Sequence, residues 1–260
     1  MAAFVRFPTQ ALSYRPTEGT AGHSRRKEGT FAGVWKCELV TKTPLCIHSY
    51  FKLFRQEGDA AFIPGTSLRG MVRNMMEMLG AGCPRLYRGT ATGPPHFKPC
   101  SPECTCLACH VFGFVEERKQ FAWQGKVTFS DTDKTARRWI RLNVPIAPAP
   151  AKGTGWLTFG HAPTPPTSPG TVWCVESGEK FRFTVEYKDL DAEERAVLKL
   201  ALTLRHGETH LCHKLGYGKS AGLGSCRITI ENDPSPPGPE IDRYVRLPGY
   251  EDLKRLRSCQ

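Results

Sequence analysis

The densest group of potential metal ligands in this sequence is a short cysteine run. Four thiols lie within ten residues, at Cys100, Cys104, Cys106 and Cys109. The C-x-x-C step at Cys106 and Cys109 lets two thiolates bind one tetrahedral zinc ion, and the other two cysteines complete the set. Cys83 and His96 are reserve ligands, because Cys104 and Cys106 crowd each other. With four protein ligands the zinc would be structural, since no position is left for water. Free buried thiols are the alternative.

A glycine-rich stretch, HKLGYGKSAGLGS from His213 to Ser225, combines an open backbone with basic side chains. Backbone N–H groups and lysines together suit phosphates, and an aromatic ring can stack on a base. The side chains suited to RNA are Lys214, Tyr217, Lys219 and Ser220. A tight turn in which the glycines serve only close backbone approach is the alternative. An ATP site is excluded, because the Walker pattern needs a glycine where His213 stands.

The second glycine-bearing stretch, FIPGTSLRG from Phe62 to Gly70, predicts the start of a helix at Pro64–Gly65. Apolar residues follow at helical spacing, at Leu68, Met71, Val72, Met75 and Leu79. Arg69 and Arg73 lie one turn apart on the opposite face. Two arginines so placed repel each other without an anion nearby, which suggests a phosphate partner, but Arg73 could instead pair with Glu77.

Residues that could catalyse a reaction lie between the first predicted strand and this helix. His48 could act as a general base, and Asp59 could position a divalent cation or assist attack by a ribose 2′-hydroxyl. An aspartate after a glycine is more often turn chemistry, and a histidine at a strand end is more often structural. The sequence therefore leaves open whether the chain is an endoribonuclease.

The elements that must position these residues follow a regular order. Hydrophobic periodicity predicts strands at 31–47, 112–130, 171–187 and 225–230, and helices at 64–79 and 191–206. Asp191 and Glu194 have the spacing of a capping box for the second helix. Strand, helix, strands, helix, strand is the βαββαβ order of a ferredoxin-like or RRM-like fold, an α+β class with an antiparallel sheet.

One domain with insertions and two flanks accounts for the remaining sequence. The predicted boundaries are an irregular arm at 1–30, the domain at 31–231, a zinc-binding insertion at 81–110, a thumb-like loop or hairpin at 131–170, and a linker with a short basic helix at 232–260. The hairpin insertion contains a run of basic and bulky residues that includes Arg138 and Trp139.

Charge and hydrophobicity narrow the class of partner. Lysine and arginine exceed aspartate and glutamate by 36 to 25, a net charge of +11 that attracts polyanions such as RNA. The 260 residues hold no apolar run long enough to cross a bilayer and no signal peptide, so we expect a cytoplasmic protein without a membrane partner. The eleven cysteines are then better explained by metal than by disulfides.

Five motifs in order resemble the RAMP superfamily of CRISPR effector proteins, especially the backbone subunits of prokaryotic type III complexes. They are TPLCIH at 43–48, FIPGTSLRGMVRNMMEML at 62–79, CLACHVFG at 106–113, GKVTFSD at 125–131 and HKLGYGKSAGLGS at 213–225. The resemblance covers most of residues 31–230. It implies a modified RRM-like fold that stacks along guide CRISPR RNA beside sister RAMP subunits and presents that guide to target RNA.

The resemblance also implies roles for individual residues. Ser67, Arg69 and Arg73 would contact the guide together with the lysines of the glycine-rich stretch. Residues 137–156 would form a thumb, with Trp139 as a wedge between bases. In cleaving members an aspartate before the IPG motif cuts target RNA, which makes Asp59 the candidate here. The alternatives are a guide-processing endoribonuclease of the same superfamily, using His48, and a zinc-bearing RNA-binding protein outside CRISPR.

Overall fold

The computed structural model describes residues 2–6, 28–47, 60–83, 100, 105–116, 120–145, 156–159 and 169–258. Its strands are β1 (Ala2–Val5), β2 (Phe31–Thr41), β3 (Ala60–Ala61), β4 (Phe114–Glu116), β5 (Phe121–Trp123), β6 (Val127–Phe129), β7 (Thr135–Ala136), β8 (Trp139–Pro145), β9 (Trp156–Phe159), β10 (Pro169–Val175), β11 (Lys180–Leu190), β12 (Arg205–His206), β13 (Thr209–His210), β14 (His213–Lys214) and β15 (Ser225–Ile230). Its α-helices are α1 (Gly65–Met76), α2 (Leu107–Phe112), α3 (Ala192–Thr203), α4 (Asp242–Val245) and α5 (Pro248–Arg257). None of these helices has the length and apolar character needed to cross a membrane.

A five-stranded antiparallel sheet carries the fold, in the order β14-β15-β2-β11-β6. Strand alternation buries Trp35, Cys37 and Leu39 of β2, and the same alternation operates in β11. Helices α1 and α3 contribute to the same hydrophobic cluster as these strands. The elements therefore follow the predicted βαββαβ order, and the mixed α+β class with an antiparallel sheet is confirmed.

The end of α3 lies earlier than the sequence predicts. The capping box at Asp191 and Glu194 is present, but the helix ends at Thr203, and Leu204 adopts a left-handed conformation with φ of 50°. Gly207, predicted as the helix stop, is instead the turn of a small hairpin formed by β12 and β13. A glycine ends a helix and turns a hairpin for the same reason, since both need a positive φ.

The start of α1 is fixed by the strand that ends at Phe129. The Gly65 N–H donates to the Asp131 carboxylate at 2.8 Å, so a side chain from another motif caps this helix. A Cβ at Gly65 would lie 2.2 Å from the Phe129 carbonyl oxygen, which explains the glycine. Two motifs that are far apart in sequence, FIPG and GKVTFSD, thus form one junction.

The terminal segments pack together beside this core. The sequence predicts an irregular arm at 1–30. In the structure residues 2–5 of this arm form β1, which pairs antiparallel with β9. The predicted basic helix is α5, and Arg6 is paired with Asp252 of that helix through Nε at 2.9 Å. The strand β8, inside the predicted hairpin insertion, pairs antiparallel with β10, which begins at the end of that insertion and continues into the predicted strand at 171–187.

Candidate functional site

A cavity of about 540 Å³ lies between α1 and the glycine-rich stretch. This volume is within the range of about 300–1,000 Å³ that is usual for small-ligand sites. Its lining residues are Ile47, Ser67, Gly70, Met71, Asn74, Met75, Met78, Thr158, Lys214, Leu215, Gly216, Tyr217, Lys219 and Arg257. The structure therefore brings Ser67 of the FIPG helix together with three of the four RNA-binding candidates of the glycine-rich stretch.

Close backbone approach explains the glycines of this stretch. Gly216 and Gly224 have φ of 81° and 73°, and a Cβ on either would lie 2.2 Å or less from a carbonyl oxygen. The Tyr217 N–H donates to the Cys46 carbonyl at 2.7 Å, which ties the stretch to the TPLCIH motif. The tight-turn interpretation of the stretch is therefore observed, and these turns hold two lysines and a tyrosine beside the cavity.

Replacing Gly224 by alanine is expected to destabilise the protein more than the same change at Gly207. Both positions have a positive φ, which costs a non-glycine residue about 1–2 kcal/mol. A Cβ at Gly224 would also lie 1.8 Å from the Leu215 carbonyl oxygen, whereas one at Gly207 meets nothing within 4 Å. We expect the overpacking to cost about 1–3 kcal/mol more, measured as the difference in free energy of unfolding. Equal losses would show that the Leu215 segment shifts freely.

Three cationic side chains converge on the cavity. Lys214 Nζ donates to the carbonyls of Gly222 and Leu223 at 2.8 and 3.0 Å, and Lys219 Nζ donates to the Gly216 carbonyl at 2.7 Å. Burial and the nearby charge of Arg257 lower the pKa of Lys214 to about 7 and also lower the pKa of Lys219. The mutual repulsion of these groups makes the cavity a favourable place for an anion.

Arg257, at the end of α5, is the cavity residue that the sequence analysis misses. Its side chain is only 3% exposed, and burial lowers its pKa to about 10. Nη2 donates to the Thr158 hydroxyl at 2.5 Å. Nε and Nη1 are buried without a hydrogen-bond partner among the described residues, and so is Oδ1 of Asn74 on the α1 side.

Arg69 and Arg73 face the CLACHVFG motif at 106–113, called the cysteine segment below. Arg69 donates to the Phe112 carbonyl and lies over the ring of that residue, 5.5 Å from its centroid. Arg73 donates to the Glu77 carboxylate at 3.0 Å and to the Gly113 carbonyl at 2.9 Å. Arg73 therefore pairs with Glu77, which is the alternative to a phosphate partner that the sequence left open. Neither arginine is among the residues that line the cavity.

A cluster of four cysteines has the arrangement of a metal centre. It consists of Cys83, Cys100, Cys106 and Cys109, whose sulfurs lie within 4.8 Å of one another. Cys83 Sγ is 3.6 Å from the sulfurs of both Cys100 and Cys109. Tetrahedral zinc with Zn–S bonds near 2.3 Å requires sulfur separations of about 3.8 Å, so the four thiols fit that ion. Cys83, the reserve ligand, takes the fourth place, and Cys104 lies outside the described residues.

Hydrogen-bond donors surround two sulfurs of this cysteine cluster. Backbone N–H groups of Cys83 and Cys109 donate to Cys106 Sγ at 3.2 and 3.3 Å, and Arg73 Nη2 donates to Cys109 Sγ at 3.2 Å. Hydrogen bonds from Cys100, Cys109 and Cys83 hold the pKa of the Cys106 thiol well below its ordinary value, whereas the hydrogen bond from Cys100 is the largest of the causes that raise the pKa of Cys83 and of Cys109. Aromatic rings pack around the cluster, namely Phe114, Phe121 and Trp123. A buried group of donors directed at sulfur is typical of a structural metal site.

Other predicted site residues lie away from the cavity. Arg138 is exposed and pairs with Glu179 at 2.7 Å. Trp139 packs against the main core instead of projecting as a wedge. Ser220 is half-buried in a short 3-10 turn and does not line the cavity. The catalytic candidates His48 and Asp59 lie outside the described residues.

Comparison with known proteins assigns the family. The sequence model of the RAMP superfamily matches residues 38–227, which is more than half of the chain. The match begins within β2 and ends within β15, so that α1, the cysteine segment and the glycine-rich stretch are inside it. The strand β1 and the helix α5 are outside it. A search of curated proteins finds no match.

Proposed function

Because the chain belongs to the RAMP superfamily, we propose that it is a CRISPR RNA-binding subunit of a type III-like effector complex. In this role it holds guide RNA beside sister RAMP subunits in the prokaryotic cytoplasm and presents the guide to complementary target RNA. The observation that supports the proposal is the cavity, where Ser67 meets Lys214, Tyr217 and Lys219. Lys214 and Lys219 use two and one of their three ammonium donors, respectively, on backbone carbonyls, so each keeps a donor for a phosphate. Tyr217, which is 42% exposed, suits a stacked base.

We propose a different role for two arginines that the family resemblance assigns to the guide. We propose that Arg69 and Arg73 hold the cysteine segment against α1, since their guanidiniums are bound to Phe112, Gly113 and Glu77. The proposed thumb begins in β8, beyond Trp139. Arg138 then contributes charge near its base, where it is 65% exposed.

The four-cysteine cluster is proposed to hold a structural zinc ion. Among the described residues the donor set consists of four thiols, which is the composition of closed zinc sites. Such an ion would fix the segment from Cys83 to Phe114 against α1. Any target cleavage would require other residues, for which Asp59 with a divalent cation remains the candidate, and His48 remains the candidate base for guide processing.

Purification of the chain with its natural partners, followed by sequencing of the bound RNA, tests the proposed function. A repeat-derived guide in the complex is the expected result. Random cellular RNA would instead support an RNA-binding protein outside CRISPR. Incubating the complex with precursor and with complementary target RNA distinguishes a processing enzyme from an effector subunit, and alanine variants of His48 and Asp59 assign any cutting.

Charge reversal of Lys219 is expected to weaken RNA binding. Lys219→Glu places a carboxylate in a cavity that now holds three cations, and charged hydrogen bonds contribute about 1.5–3 kcal/mol, or about tenfold or more in affinity. The dependence of binding on salt should also become flatter. Fluorescence anisotropy with single-stranded RNA measures both effects. Lys188→Glu, at an exposed position on β11, is the control, and equal losses in the two variants would contradict the assignment.

A further inference from the structure

The inner wall of the cavity is built partly by a segment outside the family match. Helix α5 reaches it because its end is tied to the chain before β14, where the Cys212 N–H donates to the Arg257 carbonyl at 2.8 Å. The other end of α5 packs on β1, and Gly249 approaches Val5 and Met78 closely. These contacts hold Arg257 beside Lys214, which belongs to the family's glycine-rich stretch.

Arg257 carries a charge that the described protein does not neutralise. Two of its three guanidinium nitrogens are buried without a partner in the part of the chain that the structure describes, and the third donates to the neutral hydroxyl of Thr158. The lining of the cavity includes no aspartate or glutamate among the described residues. A buried charge is costly unless an opposite charge accompanies it. An anionic ligand at this position would supply the missing partner.

The part of the cavity lining that α1 contributes would bind a different group of the same ligand. Oδ1 of Asn74 is a buried acceptor without a donor among the described residues. Apolar side chains, namely Met71, Met75, Met78 and Leu215, also line the cavity. The ring of Tyr217 is exposed among the lining residues. A ligand that combines an anion, a hydroxyl donor and a flat ring matches these features.

We propose that the cavity binds a single ribonucleotide, with Arg257 as the ligand of its phosphate and Asn74 as the acceptor for a ribose hydroxyl. This inference rests on the proposed RNA-binding function and adds that a residue outside the RAMP match selects one nucleotide position. The nucleotide belongs either to a bound RNA strand or to a free mononucleotide. Both sources carry the same phosphate and ribose, and the experiment below distinguishes them.

The test measures binding of a fluorescent single-stranded RNA, and of AMP in competition, to the purified 260-residue chain. Arg257→Gln removes the charge and should lower RNA affinity about tenfold or more, because a charged hydrogen-bonded contact is lost. Asn74→Asp adds a carboxylate to the cavity and should weaken binding by repelling the phosphate. Arg255→Gln, in the same helix but 73% exposed, is the control and should bind as the unaltered chain does.

Thermal unfolding of each variant distinguishes the loss of a contact with RNA from the loss of the folded state. Arg257→Gln should unfold at an equal or higher temperature, because an unpartnered buried charge is removed. A folded Arg257→Gln variant that binds RNA with unchanged affinity would overturn the inference and leave the proposed function standing. If Arg257→Gln does not fold, unchanged RNA binding by Asn74→Asp would overturn the inference instead. Failure of the unaltered chain to bind RNA at all would contradict the proposed function.

Two further arms identify the source of the nucleotide. AMP that competes with RNA, and that loses this ability in Arg257→Gln, would support a site that accepts a free nucleotide. RNA binding that depends on Arg257 but is insensitive to AMP would support a nucleotide within a strand. A DNA strand of the same sequence should bind more weakly than RNA, because it lacks the 2′-hydroxyl. Equal binding of DNA and RNA would contradict the role of Asn74.

Discussion

Replacing Cys106 and Cys109 by serine is expected to remove one bound zinc ion per chain and to unfold the cysteine segment. Hydroxyl groups are poor zinc ligands, and the double variant keeps only two of the four thiols in the cluster. Structural zinc binds with an apparent free energy of about 10–16 kcal/mol in zinc-finger peptides. This is comparable to the whole net stability of a typical domain, about 5–15 kcal/mol. The change should therefore cause a large fall in melting temperature or insoluble protein.

Elemental analysis of the purified protein, combined with thermal unfolding, measures this effect. Cys37→Ala is the matched control, because Cys37 is a buried free thiol in β2 that does not belong to the cluster. It should retain the zinc and lose only the modest stability of a small core truncation. A double variant that still carries a full equivalent of zinc would place the metal elsewhere in the chain.

Single substitutions decide which cysteine is the fourth ligand. The sequence favours Cys104, whereas the described cluster contains Cys83. We expect Cys83→Ser to lower the zinc content and Cys104→Ser to leave it unchanged. The opposite result would restore the ligand set that sequence spacing predicts. Spacing alone could not distinguish them, because Cys83 is seventeen residues from its neighbour Cys100 and reaches it only through the fold.

The fold was largely predictable because its elements have strong local signals. Strict alternation in β11 and the capping box of α3 are properties of neighbouring residues, and the structure contains both. The strand β1 was not predictable, since its pairing partner β9 lies about 150 residues away and its own four residues carry no alternation. The end of α3 depended on Leu204 accepting a left-handed conformation, which its side chain does not favour.

The site was only half predictable for a similar reason. The glycine-rich stretch indicated the position of the lysines, because the residues that make its turns are also those that carry its charge. For Arg69 and Arg73 the structure provides acceptors within the chain, because tertiary folding brings the carbonyls of Phe112 and Gly113 near them. Local repulsion between two arginines therefore does not require an external anion.

A usable signal for Arg257 was present in the spacing of α5. Tyr250, Leu253 and Arg257 follow one another at intervals of three and four residues, so they share one face of the helix. The structure buries all three. An arginine in the apolar stripe of a helix differs from its neighbours Lys254 and Arg255, which lie on other faces. Such a residue is a candidate ligand-binding group, because burial of a guanidinium costs free energy unless an anion compensates its charge.

The largest effect in the core outside the cysteine cluster is expected from Glu194→Gln. Glu194 is fully buried, and its carboxylate accepts hydrogen bonds from Lys126 Nζ at 2.7 and 2.9 Å and from the His110 ring. It also closes the capping box by accepting the Asp191 N–H at 2.9 Å. Removal of one partner from a buried ion pair costs about 3–5 kcal/mol, because the remaining charge stays buried. Chemical denaturation should show a loss of this size, with exposed Glu208→Gln as the control.

Acid titration of stability provides an independent test of the same residue. Burial by itself would raise the pKa of Glu194, but the hydrogen bond from His110 and the charge of Lys126 outweigh it and lower that pKa below its ordinary value. A carboxyl with a lowered folded-state pKa contributes stability above its unfolded pKa of about 4.3 and loses it as the pH falls through the folded value. Glu194→Gln should therefore weaken the decline in stability below about pH 4.3. An unchanged acid profile in the variant would mean that Lys126 and His110 find other partners, and that Glu194 joins the cysteine segment to α3 through packing alone.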